Sequence, residues 1–175
     1  MGYAQFILYI LASGAIFLDE AVVSEITQRF FFSQKRSRRL PWGSPSLDVF
    51  AGPLPGEHVT SQYYTKHWCP GSMGADAFLY SWDVCHPGTG YQMAWIYPPA
   101  ELITRTLQRL QDQPIHATLI LPDKVALWTP LLHSLPIVAR HIIAPGRIHL
   151  GAGAPPEWET AKPGRLLAFR VWQGL

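Results

Sequence analysis

At 175 residues, 48% hydrophobic and 13% aromatic, the chain can bury a sizeable core of its own, which excludes a disordered chain and makes one domain the default. Fourteen Lys and Arg against 12 Asp and Glu leave a formal charge of +2, too weak a field to argue nucleic-acid binding from net charge; only the run Lys35-Arg36-Ser37-Arg38-Arg39 carries such a signal locally. Two cysteines, Cys69 and Cys85, make neither a disulfide framework nor a metal-ligand set, and favour a reducing, intracellular compartment.

Residues 1–18 form an apolar N-terminal segment ahead of a domain spanning 19–175. Its core, residues 3–18, is shorter than the roughly 20 residues a membrane-spanning helix needs, and no basic residue precedes it as in a signal peptide. A buried first helix, or the remnant of a longer polyprotein, fits it better, and no membrane partner is favoured. From Asp19 to Phe32, Ala21, Val22, Ile26, Phe30 and Phe31 fall on one helical face, with Asp19 and Glu20 in the first turn where they complement the macrodipole. The basic run follows, as a neutraliser of DNA phosphates or as a solvated loop, and Leu40 to Ser46 reads as a loop into the first strand.

Leu47 to Ala51 is a short apolar strand interrupted only by Asp48 and ended by Gly52; Pro53, Pro55 and Gly56 keep a helix from starting at once. Val59 to Thr65, rich in β-branched and aromatic residues, predicts a second strand, and Asp76 follows as a loop acid. His86 to Gln92 is a turn-rich surface loop. Gly88-Thr89-Gly90 lacks the Lys-Ser/Thr of a phosphate loop.

The chain is organised around Tyr91 to Ile103. Met93 to Ile96 reads as a strand covered on both faces, Pro98-Pro99 as the rigid turn that stops it, and Leu102, Ile103, Leu107 and Leu110 as the apolar face of a helix. Ala117 to Leu121, ended by Pro122, is the next strand of a βαβ unit, with Asp123 and Lys124 at its carboxyl end. Leu127 to Leu135 predicts a short helix stopped by Pro136. Ile137 to Ile143, Arg147 to Leu150 and Leu166 to Trp172 predict further strands. The pattern is that of a small α/β domain with a mostly parallel sheet and flanking helices. Seven scattered histidines lack ligand spacing, so no metal is expected, and no Gly-x-Ser-x-Gly elbow supports hydrolysis.

Several of these stretches, taken in order, resemble the phage Dam type of S-adenosylmethionine-dependent DNA adenine-N6 methyltransferases. They are Leu47 to Gly52, Gln62-Tyr63-Tyr64-Thr65, Ala75-Asp76-Ala77-Phe78 with Trp82, Tyr97-Pro98-Pro99-Ala100, Thr118 to Pro122 with Trp128, Gly146-Arg147-Ile148 and Leu166 to Arg170. The wording is closer still to the Dam-like segment that follows RNase H in DIRS-type retrotransposon polyproteins, and it covers about residues 17 to 172. The resemblance implies a single Rossmann-like, class I methyltransferase-like domain. It also implies S-adenosylmethionine bound by Asp48, Phe50, Ala51, Gly52 and Asp76, an adenine base held at Tyr97, Pro98 and Pro99, and DNA and neighbouring polyprotein domains as partners. Two positions depart from the family's Asn/Asp-Pro-Pro-aromatic tetrad. Tyr97 stands where an amide or carboxylate drains charge from the amine, and a phenol of pKa about 10 is a poor sink. Ala100 stands where an aromatic ring stacks on the flipped base. What the resemblance implies is therefore a kept fold with weakened or lost chemistry, or alternatively a non-catalytic nucleic-acid-binding or scaffold module.

Overall fold

The computed structural model describes residues 16–18, 20–33, 45–52, 57–83, 93–144, 148–150 and 164–171. Its main element is one mixed sheet of seven strands: β2 (Leu47–Ala51), β3 (Tyr63–Thr65), β4 (Gly74–Ala75), β5 (Ala94–Ile96), β6 (Ala117–Pro122), β7 (Ile137–Ile143) and β9 (Leu166–Val171). Across the sheet their order is β4-β3-β2-β5-β6-β9-β7. From β4 to β6 every neighbour is parallel. Only β9 runs against the rest, wedged between β6 and β7. A separate antiparallel pair joins β1 (Ile16–Leu18) to β8 (Ile148–Leu150).

Helices cover both faces of the sheet. Helix α1 (Glu20–Ser33) lays Val22 and Ile26 on one face, against Trp95, Ile120, Ile143, Leu166 and Ala168. Helix α2 (Ile103–Asp112) and the short α3 (Thr129–His133) cover the other, where Ile103, Leu107, Leu110 and Leu132 meet Leu47, Val49, Ala94, Ile96, Leu119, Leu121, Phe169 and Val171. Alternation along β5, β6 and β9 sends successive side chains to opposite layers, which is why these strands read as unbroken apolar runs. One long polar side chain sits in the α1 layer: Arg170, 1% exposed, donates from Nη1 to Thr118 Oγ1 at 3.1 Å and touches Met93 Sδ, and burial pulls its pKa down to about 9.

The expected strands at 47–51 and 137–143 have the bounds read from the sequence, 93–96 and 117–121 differ by one residue at an end, and the closing strand is formed over its described residues 166–171. Four expectations are corrected. Residues 59–62 are not strand, because the Val59 amide donates to the Asp48 carboxylate and the Thr60 hydroxyl turns back onto the Gln62 carbonyl, leaving Tyr63–Thr65 to pair. The helix of 127–135 shrinks to 129–133: Leu127 is 99% exposed and the Ala126 amide is held by Thr129 Oγ1. Residues 16–18, read as the end of a buried helix, pair as a strand. Ala21 is exposed, although its neighbours Val22 and Ile26 form the buried stripe as expected. The basic run 35–39, the prolines at 53 and 55, the loop 86–92, Cys85, Gly146, Arg147, Trp172 and residues 1–15 lie outside the described residues.

Candidate functional site

Because β2 to β6 are parallel, their carboxyl ends share one edge of the sheet. The strand sequence steps outward from β2 through β3 to β4, then returns to the other side of β2 with β5 and β6. The reversal falls between β2 and β5. In open α/β sheets ligands bind in the crevice outside the carboxyl ends at such a reversal. Here the two lips are Gly52, directly after β2, and Tyr97-Pro98-Pro99, directly after β5.

The β5 lip is rigid. Pro98 is buried and Pro99 half-buried; the Pro99 carbonyl accepts the Leu102 amide at 2.9 Å, closing a 3-10 turn over Ala100–Leu102 that opens into α2. Ala100 and Glu101 are exposed. Tyr97 behaves differently from an acceptor at an open edge. Its ring packs on the α1 layer with Val23 and Val59, and burial pushes its phenol well above the ordinary tyrosine range. The phenol therefore stays protonated.

The β2 lip carries Phe50, Ala51 and Gly52. The register with β3 shifts between Asp48 and Ala51, and Phe50 packs toward the α2 layer, where its ring lies 5.7 Å from Phe78 and 5.9 Å from Trp82. Ala51 and Gly52 are buried. Asp48, 4% exposed, lies on the opposite face. Its Oδ2 accepts the Val59 amide at 2.8 Å, and desolvation raises its pKa from 3.8 to about 7 against the lowering effect of the Val59 and Phe50 amides. Through Oδ2, Asp48 thus ties Val59, in the chain after Gly52, back to β2.

Asp76 follows β4, two strands from Gly52, or about 10 Å at the usual strand spacing. Its φ of 65° puts it in the left-handed region, its amide donates to the Thr65 carbonyl at 2.9 Å, and its Oδ1 accepts the Phe78 amide at 3.1 Å. The carboxylate is exposed and caps a turn with one oxygen, leaving the other at the edge. Lys66, after β3, has its pKa lowered by partial burial and raised in part by Glu101, which brings the β3 and β5 lips within electrostatic reach of each other.

One cluster beside the edge escaped the sequence reading. Arg105 lies 4.0 Å over the Phe78 ring and Arg109 4.9 Å over Trp82; Arg109 also donates to the Phe78 carbonyl at 3.1 Å and the Tyr80 carbonyl at 2.6 Å. Arg105 and Arg109 at i and i+4 on α2, facing away from its apolar stripe, were the available signal. Trp95 and Trp128 are buried in the core. Asp123 pairs with Arg165 at the far end of the edge, and Lys124 beyond it is exposed.

No family model, curated protein or solved structure matches the chain. Among the described residues no group of three or more His, Cys, Asp or Glu is placed to hold a metal ion, and no helix is long and apolar enough to cross a membrane.

Proposed function

We propose that the chain is a methyltransferase-like domain of the DNA adenine-N6 type, of retrotransposon origin, with a Rossmann-like sheet that retains an S-adenosylmethionine cradle and has lost methyl transfer. The observation that carries this reading is the position of the two lips. Taken in chain order, β4-β3-β2-β5-β6 is 3-2-1-4-5, the order of doubly wound nucleotide-binding sheets, and the Gly52 turn and the Pro98-Pro99 turn flank its reversal. Phe50, Ala51, Gly52 and Asp76 stand along that edge as cofactor contacts, with Asp48 supporting them from behind. The lost chemistry is argued from Tyr97 and Ala100. A protonated phenol packed on the α1 layer neither accepts the amine's developing charge nor faces the base, and an exposed alanine has no ring to stack. A DNA-binding or scaffold role beside reverse transcriptase and RNase H, inside the cell, is the use such a domain would retain.

Titration of the purified chain with S-adenosylmethionine by calorimetry is the test. Binding that is abolished by Gly52→Trp in a protein whose circular dichroism is unchanged supports the cradle. Methylation of adenine-containing DNA is expected to be absent in the parent and detectable in a Tyr97→Asn, Ala100→Phe double variant. No cofactor binding at millimolar concentration by the folded parent or by a folded Glu57→Gly variant overturns the reading.

A further inference from the structure

The glycine at the β2 lip is not open. The Gly52 amide donates to the Glu57 carbonyl at 3.0 Å, and the Glu57 side chain lies across the Gly52 Cα. A methyl group there would meet Glu57 Oε2 inside contact distance, with Cβ at 2.7 Å and Cδ at 2.9 Å. The segment that carries Glu57 is tied down beyond it. The Val59 amide donates to Asp48 Oδ2 at 2.8 Å, and the Asp48 amide donates to the Gln62 carbonyl at 3.0 Å. Bare glycine backbone at a strand end admits close approach by a ligand, and here a side chain of the same molecule takes that approach.

We propose that Glu57 is an internal occupant of the cradle, a plug that S-adenosylmethionine must displace to reach Gly52. This rests on the cofactor reading above and adds that the resting chain is self-inhibited for binding. The occlusion is steric: three atoms of the side chain, not the carboxylate alone, cover the glycine. Glu57→Gln therefore keeps the cradle closed, and Glu57→Gly opens it.

Two measurements on the full chain decide the matter. In a stability cycle, Gly52→Ala is expected to lower the melting temperature of the parent and to have little effect in a Glu57→Gly background, because the clashing partner is gone. In calorimetry with S-adenosylmethionine, Glu57→Gly is expected to bind at least tenfold more tightly than the parent and Glu57→Gln about as the parent does. Absence of coupling in the cycle overturns the plug whether or not cofactor binds. Coupling with weaker binding in Glu57→Gly overturns it too, and makes Glu57 a ligand of the cofactor. Coupling with no binding in any variant removes the cofactor reading itself, while the Glu57 contact on Gly52 stands.

Discussion

Replacing Asp48 by asparagine is expected to stabilise the protein at neutral and alkaline pH and to flatten its stability between pH 4 and 7. The carboxyl group is buried, and its pKa rises from 3.8 in the unfolded chain to about 7 in the fold. Between those values the folded state holds a proton that the unfolded state has released, so stability falls as pH rises and levels off above 7. The contribution is complete below pH 4 and gone once the folded carboxyl has ionised. Three pKa units at 1.36 kcal/mol each set a ceiling of about 4 kcal/mol. The asparagine side chain keeps an oxygen for the Val59 amide and carries no charge to bury. The difference in urea-denaturation free energy between variant and parent, followed from pH 4 to 8, should grow by a few kcal/mol in favour of the variant. A difference that stays constant over that range would mean that Asp48 is solvated or paired.

Trp82→Ala is expected to cost about 3–5 kcal/mol, as large aromatic truncations in cores do. Trp82 is 3% exposed, its Nε1 donates to the Ala77 carbonyl at 2.9 Å, and its ring meets Phe78 at 5.5 Å and Phe50 at 5.9 Å under the Arg109 guanidinium. Removing it leaves a cavity where β2, the turn after β4 and α2 converge, and strips the cover from Phe50 at the edge. For a chain of this size about 2–4 °C is lost per kcal/mol, so the melting temperature should drop by roughly 10 °C. Trp82→Phe, which keeps most of the volume and loses the N–H donor, should lose less than half of that. A drop below about 2 °C for the alanine variant would show that the cluster does not hold the turn to the sheet.

How much of this could be read from the residues differs by element. Strands bounded by Gly or Pro and buried on both faces, such as Leu47–Ala51 before Gly52 and Ala117–Pro122, announce themselves, because burial on two faces demands a continuous apolar run. The two residues of β4 have no periodicity to detect, and the place of β9 between β6 and β7 is a matter of pairing partners, which local patterns do not encode. Hydrogen bonds to side chains shortened the strand expected at 59–65, since Val59 spends its amide on Asp48. At the candidate site, Gly52 and Pro98-Pro99 were legible as strand ends, and their adjacency follows from the pairing of β2 with β5. The direction of Asp48 and Tyr97, both turned into the α1 layer, was not legible, and neither was the return of Glu57 onto Gly52.

The antiparallel wedge of β9 also dictates an order of assembly. All six of its residues are buried, and among the described residues β7, made earlier in the chain, pairs with the sheet only through it. Until Leu166–Val171 has been synthesised, β6 presents a bare apolar edge and β7 lacks the strand it pairs with. Such an edge recruits other chains. The nascent protein therefore completes its sheet late, by non-local pairing of the slow kind, and any truncation before residue 166 should release two strands at once and aggregate in place of folding with one strand fewer.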